Sequence, residues 1–337
     1  MPLSVLIPSH GRPEKLRACL ASLALQEVAP AEVVVGLDGG SEADANAVTE
    51  QFGPSLPGLR VLSLPWRGYI PTRATLLAEC RSDRFLSLND DVTLSPSVVR
   101  AHAETHDREP GEVLVTGPAP WRQPQKPTVF DELVARSDLI FFDPAPALQS
   151  GSRLPYRYCV GLNFSMRAEL ARSLGGFHDL PRAYGYDDVE LAHRATTRAG
   201  AEVVFSPDAI VTHDHAYTPE EVERREYRLG RAAWMYRHVN EAFAADLFGR
   251  DIADPAELAF CREVLARERP DAERIERSFL ALGQQPASSL RLNDPLPAML
   301  AEHWVLLKRY LWRWGLLDAA EGRDERFGPL SGAPSLL

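Results

Sequence analysis

The stretch "FLSLNDDVTLSP", residues 85–96, decides the fold. Its first four residues are mostly apolar and run straight into Asn89, Asp90 and Asp91. A short apolar run that ends at polar residues reads as a buried strand. In an open sheet of parallel strands, ligands bind beyond the carboxyl ends, where these side chains would emerge. Their oxygens are hard donors, of the kind that hold Mg²⁺ or Mn²⁺ beside substrate phosphates. The plainer reading is a strand-to-loop turn in which Asp and Asn bond local backbone. The stretch alone does not choose between them.

The same pattern recurs on the N-terminal side. "LSVLI" (3–7), "EVVVGL" (32–37) and "LRVLSL" (59–64) read as strands. Helical patterns lie between them. "RPEKLRACLASLAL" sets Leu16, Leu20 and Leu23 on one stripe behind Pro13, "SEADANAVTEQF" follows the second strand, and "PTRATLLAECR" the third. This βαβαβαβ order predicts an α/β fold: a mostly parallel, Rossmann-like sheet with right-handed crossovers, flanked by helices. "EVLVTG" (112–117), "DLIFF" (138–142) and "AEVVF" (201–205) complete the expected strands, and the Pro-rich "PAPWRQPQKP" (118–127) reads as a loop. From about residue 217 the pattern turns to long helices, so the expected organisation is an α/β domain over residues 1–216 and an α-helical extension over 217–337.

Apolar content of 45% and charged content of 25% are those of an ordinary globular chain. A net charge of −10 argues against a nucleic-acid partner, which requires a basic surface. Cys19, Cys80, Cys159 and Cys261 lie far apart without a CxxC, and read as reduced core thiols. No signal peptide is visible, and no apolar run approaches the ~18 residues of a membrane span. The expected location is the cytoplasm. The tryptophan- and cation-bearing "HWVLLKRYLWRWGLL" also suits a peripheral place at the inner membrane face. Packing on the α/β domain, or a homodimer contact, is the preferred reading of that segment.

Several constellations carry candidate chemistry. In "YGYDDVELAHRA" (184–195), Asp187 with Glu190 three residues on fits a helix capping box. That leaves Asp188, which held over a cavity can take a proton from a hydroxyl. In "VTHDHAY" (211–217), an extended chain points His213 and His215 to one side, and imidazole suits Mn²⁺, although a lone His is more often structural. His102 and His106 sit four apart on a helix without a carboxylate cluster, and read as a solvated face. "PSHGR" (8–12) and "GLDGGSE" (36–42) bring small residues, Arg12 and Asp38 to the first two strand ends, where Asp38 can accept from a base or ribose. No GxGxxG follows either strand, so the dinucleotide fingerprint is missing. In "EVERREYRLGRAAWMYRH" (221–238), Arg224, Arg228 and Arg231 share a face among Glu221, Glu223 and Glu226, which reads as an exposed salt-bridged face.

Taken in order, "SVLIPSHGR", "VVVGLDGGSE", "PTRATLL", "FLSLNDDVTLSP", "FSMRAELARSLGGFHDL", "GYDDVELAHRA" and "VTHDH" resemble the family 2 glycosyltransferases of the GT-A fold. The resemblance spans roughly residues 3–215, and "LGGFHDL" followed by "GYDDVELAHR" is its most specific part. It implies a transferase moving a sugar from a nucleotide-diphosphate sugar to an acceptor hydroxyl, with inversion, and with Mn²⁺ or Mg²⁺ as cofactor. The acceptor class (glycan, lipid-linked or small molecule) is not implied.

The resemblance also assigns residues. Pro8, Ser9, Arg12 and Asp38 fall where the family holds the nucleotide, and Arg73 where an arginine orders that site. The family's DxD motif falls on Asn89, Asp90 and Asp91, which makes Asp91 the direct metal ligand and Asn89 a departure that removes one charge. Its acidic pair falls on Asp187 and Asp188, with Asp188 the base, and its metal-contacting histidine on His213 ahead of His215. A nucleotidyltransferase would want a glycine-rich, basic loop after the first strand, which "PSHGRPEK" matches poorly. A non-catalytic binding module would have lost the motif acids, and they are present.

Overall fold

The computed structural model describes residues 2–137, 149–181, 183–291 and 293–325. Its first half is the alternation read above: β1 (Leu3–Ser9), α1 (Pro13–Leu23), β2 (Glu32–Asp38), α2 (Glu42–Phe52), β3 (Leu59–Leu64), α3 (Tyr69–Glu79) and β4 (Arg84–Leu88). β1, β2 and β4 are buried along their whole length, as strands covered on both faces must be. Pro13 opens α1, which buries Leu16, Cys19, Leu20 and Leu23 against the sheet. Each fully buried leucine contributes about 1.5–3 kcal/mol. Ser41 and Asp44 close a capping box at the start of α2.

β5 (Val92–Leu94), α4 (Val98–Arg108), β6 (Val113–Thr116), α5 (Val129–Arg136), β7 (Arg153–Leu154), β8 (Asn163–Arg167), α6 (Ala168–Ser173), α7 (Asp187–Ala199), β9 (Glu202–Phe205) and β10 (Val211–His213) follow. The large sheet runs β3-β2-β1-β4-β8-β6-β9-β7. Its first four strands are parallel, as is the β6–β9 pair, while β8 runs antiparallel between β4 and β6. β6 and β9 fall in the expected segments; "DLIFF" lies outside the described residues. The four cysteines are free and buried.

β8 was not expected, because Asn163 and Ser165 break its apolar pattern. Both polar side chains are buried and face α4, and this corrects the reading of His102 and His106 as a solvated face. The Ser165 hydroxyl lies 2.8 Å from His102 Nδ1 and 2.8 Å from His106 Nε2, and Asn163 Oδ1 lies 3.0 Å from His102 Nε2. Burial pushes the two imidazoles down to about 4 and about 3, so they are neutral core residues.

The remaining helices are α8 (Pro219–Val239), α9 (Glu241–Phe248), α10 (Pro255–Gly283) and α11 (Leu296–Ala320). α8 and α11 cross at two glycines, where a Cβ on Gly230 would stand 2.0 Å from the Trp312 carbonyl oxygen and one on Gly315 1.8 Å from that of Tyr227. Packing of this kind buries much of α8 and corrects the reading of its charged face as exposed. Arg228 is buried and donates to Glu325, Arg231 donates to the Arg323 carbonyl at 2.9 Å, and Glu223 and Glu226 are buried. Burial, and after it Glu276, pushes the Glu223 carboxyl up to about 9. Among the described residues no helix is long and apolar enough to cross a membrane.

Candidate active site

Because β1, β2 and β4 are parallel, their carboxyl ends deliver Pro8–Arg12, Asp38 and Asn89–Asp91 to one rim. A cavity of about 650 Å³ opens there, bounded on the far side by α7, α8 and α11. Pro8, Ser9, Arg12, Asp38, Arg73, Asn89, Asp91, Asp187, Asp188 and His213 all line it. Asp90 does not; it is fully buried beneath the rim, accepting from Ser9 Oγ at 2.7 Å and from Arg12. Asp90 therefore bears on the cavity through Arg12.

Asp38 Oδ1 accepts from the Arg67 amide at 2.8 Å and Oδ2 from the Gly68 amide at 2.9 Å. Those bonds fix the loop leading into α3 and leave one lone pair per oxygen.

Asp91 is held between two elements. The small antiparallel ribbon pairs Val92 of β5 with His213 of β10, which brings two distant imidazoles beside the carboxylate. Asp91 Oδ2 lies 3.1 Å from His215 Nδ1 and 3.5 Å from His213 Nε2, and accepts from Arg12 Nη1 at 2.7 Å. Among the described residues, Asp91 Oδ1 is buried without a hydrogen-bond partner. The ring of His213 packs 4.3 Å from Trp121, and that of His215 4.0 Å from Tyr217. Burial alone would raise the Asp91 carboxyl, but Arg12 and His213 hold it well below the usual range. The ligand atoms of Asp91, His213 and His215 all lie within 4.8 Å of one another. His215, ranked behind His213 from sequence, stands nearer to Asp91.

The acidic pair is organised by Arg73, Tyr69 and Gly161. Arg73 Nη1 donates to Asp187 Oδ2 at 2.6 Å and its Nη2 to Asn89 Oδ1 at 2.7 Å. The Tyr69 hydroxyl donates to Asp187 Oδ1 at 2.9 Å and accepts the Gly185 amide. Asp187 is thus not the cap of α7, contrary to the capping-box reading. The N-cap is Tyr186, in a left-handed conformation at φ 68° and without a side-chain cap bond. A non-glycine residue held there costs on the order of 1 kcal/mol. Trp312 Nε1 donates to the Tyr186 hydroxyl at 3.2 Å and helps fix that turn.

Asp188 is half-buried. Its Oδ2 accepts the Gly161 amide at 2.5 Å and its Oδ1 the Val189 amide at 2.7 Å. Burial, then the adjacent Asp187, pushes its carboxyl up to about 6, against the pull of Arg73 and the two amides. The absence of a side chain at 161 makes room for the guanidinium, since a Cβ there would meet Arg73 Nη1 at 2.2 Å and force it to shift. Neither Gly161 nor Tyr69 carried a signal in the sequence, because each acts on a partner far along the chain. The α11 residues Lys308 and Trp312, which also line the cavity, did lie on one helical stripe.

The sequence model described as glycosyl transferase family 2 matches residues 4–173, half of the chain. The chain belongs to that family. Among curated proteins this glycosyltransferase is similar to the uncharacterized glycosyltransferase YfnE of Bacillus subtilis strain 168, at 22% identity over 77% of this chain and 79% of that one. Among solved structures it is similar to S. aureus TarS 1–349, with a TM-score of 0.53 at 14% identity over 98% of this chain and 95% of the other. The same TarS fragment in complex with UDP-GlcNAc gives a TM-score of 0.52 at 15% identity, with 98% and 95% covered. The mannosyltransferase PcManGT of Pyrobaculum calidifontis, in complex with GDP-Man and Mn²⁺, gives 0.55 at 16% identity over 96% and 88%. At such identities these likenesses establish the fold, which is GT-A.

Proposed function

We propose that this glycosyltransferase moves a sugar from a nucleotide-diphosphate sugar to an acceptor hydroxyl in a single inverting displacement, with Asp188 as the general base and a divalent cation at Asp91. The observation that carries the reading is the meeting of Asp38, Asp91, Asp188 and His213, remote in sequence, on the lining of one cavity.

The residues around Asp91 fit a cation. A buried carboxylate oxygen without a partner, beside two imidazoles, is the donor set of a borderline divalent ion and favours Mn²⁺ over Mg²⁺. Asp91, His213 and His215 would hold it, and its chemistry is Lewis-acid neutralisation of the leaving diphosphate.

The chain's own groups do the rest. Asp188, fixed by two amides and poised near 6, is ionised at neutral pH yet basic enough to accept a proton. The acceptor oxygen bonds to the anomeric carbon as the bond from that carbon to the phosphate oxygen breaks, and the hydroxyl proton passes to Asp188. Asn89, tied to Arg73, and Asp38 are set to receive the ribose and base.

A donor screen tests this. UDP-, GDP-, CDP- and TDP-sugars are incubated with the chain, with and without Mn²⁺, and release of nucleoside diphosphate is measured. At least one donor is hydrolysed, and chelation suppresses it. No hydrolysis and no nucleotide-dependent thermal stabilisation in any arm would overturn the reading.

A further inference from the structure

The cavity has a second set of lining residues that the transfer chemistry does not use. Arg157, Lys308, Arg309 and Arg313 line it together with Trp312. Among the described residues, Arg157, Arg309 and Arg313 pair with no carboxylate, whereas Arg60, Arg84, Arg194 and Arg237 each hold an acid. Arg157 and Arg309 are exposed. Arg313 is half-buried over the Phe260 ring, 5.7 Å from its centroid, and its Nε is buried without a partner. A concentration of guanidinium groups without carboxylate partners on a concave wall is unexpected in a chain of net charge −10, although Arg313 Nη1 also donates to the Arg309 carbonyl at 3.2 Å. Such a wall is the complement of an anion.

Its position says which substrate carries that anion. Arg309 and Arg313 flank Trp312 on α11 at helical spacing. Trp312 bonds the hydroxyl of Tyr186, two residues before Asp188. The wall therefore reaches the residue that caps α7 two positions before Asp188, on the helical side of the cavity, whereas Asp38 and Asp91 come from the strand ends. In this part of the cavity the indole of Trp312 offers an apolar face to a carbohydrate ring.

We propose that Arg157, Lys308, Arg309 and Arg313 around Trp312 form an acceptor subsite for a carbohydrate bearing a phosphate or carboxylate next to the reacting unit. The proposal rests on the glycosyl-transfer reading above. The same cations would also suit the donor's own diphosphate, and the experiment separates the two sources.

The test is calorimetric titration of the full chain with matched probes: glucose 6-phosphate and glucuronate against glucose. At least one anionic probe binds about tenfold or more tightly than its neutral counterpart. Saturating UDP or GDP leaves that affinity within about twofold, and the preference is lost in Arg309→Gln/Arg313→Gln. Arg157→Gln, at an exposed position, weakens it independently should the double variant fail to fold. Equal binding of neutral and anionic probes, or an unaltered preference in both variants, overturns the proposal. Displacement of the probe by nucleoside diphosphate also overturns it and gives the wall to the donor. The titration needs no turnover, so its outcome is separate from that of the donor screen.

Discussion

Arg73 and Asp187 meet at the cavity lining, Nη1 standing 2.6 Å from Oδ2, with side chains 5% and 2% exposed. The second guanidinium nitrogen reaches Asn89, so one cation ties the end of β4 to the start of α7. A buried ion pair offsets its desolvation only when its geometry is complete, and losing one partner strands the other charge. Here the stranded charge would lie beside the proposed base.

Asp188→Asn is expected to lower transfer by about 10²–10⁴-fold, the range of a general base, while nucleotide affinity measured by calorimetry changes little. Equal loss of both would give Asp188 a structural role only.

The pH dependence has a defined sign. Asp188 must be ionised to act, and its carboxyl is pushed up to about 6, so kcat/KM falls as pH drops through that value. Arg73 opposes the upward shift, so in Arg73→Met the acidic limb moves to higher pH. An unmoved limb in that variant would separate Arg73 from the titrating group.

At the cation site proposed around Asp91, Mn²⁺ binding can be read without turnover. Asp91→Ala is expected to abolish the effect of Mn²⁺ on nucleotide affinity, and His215→Ala to weaken Mn²⁺ by about 10–100-fold, as loss of a ligand or its support does. An unchanged Mn²⁺ response in Asp91→Ala would place the cation elsewhere.

Gly161→Ala probes the Arg73 cradle. The new methyl must displace the guanidinium from 2.2 Å, which costs about 1–3 kcal/mol as overpacking and parts Arg73 from Asp187. A lower melting temperature together with a fall in kcat is expected. Stability lost with kcat intact would show that the Arg73 link is structural.

The βα alternation of the first half, the strand-end acids and the family motifs were legible in the sequence because each is local. A buried parallel strand needs a continuous apolar run, and a motif keeps its residues within a dozen positions. What the sequence concealed lies in pairings between remote segments. His102 and His106 resemble a polar surface stripe until β8 inserts beside β4 and offers them Ser165 and Asn163. Asp187 has the spacing of a cap until Arg73 claims its carboxylate. Arg228 has the look of a surface charge until Gly230 and Gly315 let α11 close over it.

The sequence by itself determined that this chain folds as a GT-A sheet with carboxylates at its strand ends. Only the tertiary structure decided that His215 joins Asp91, that Gly161 positions Asp188 and that α11 lends arginines to the cavity. Periodicity encodes which face of an element is buried; what covers that face is settled when the elements pack.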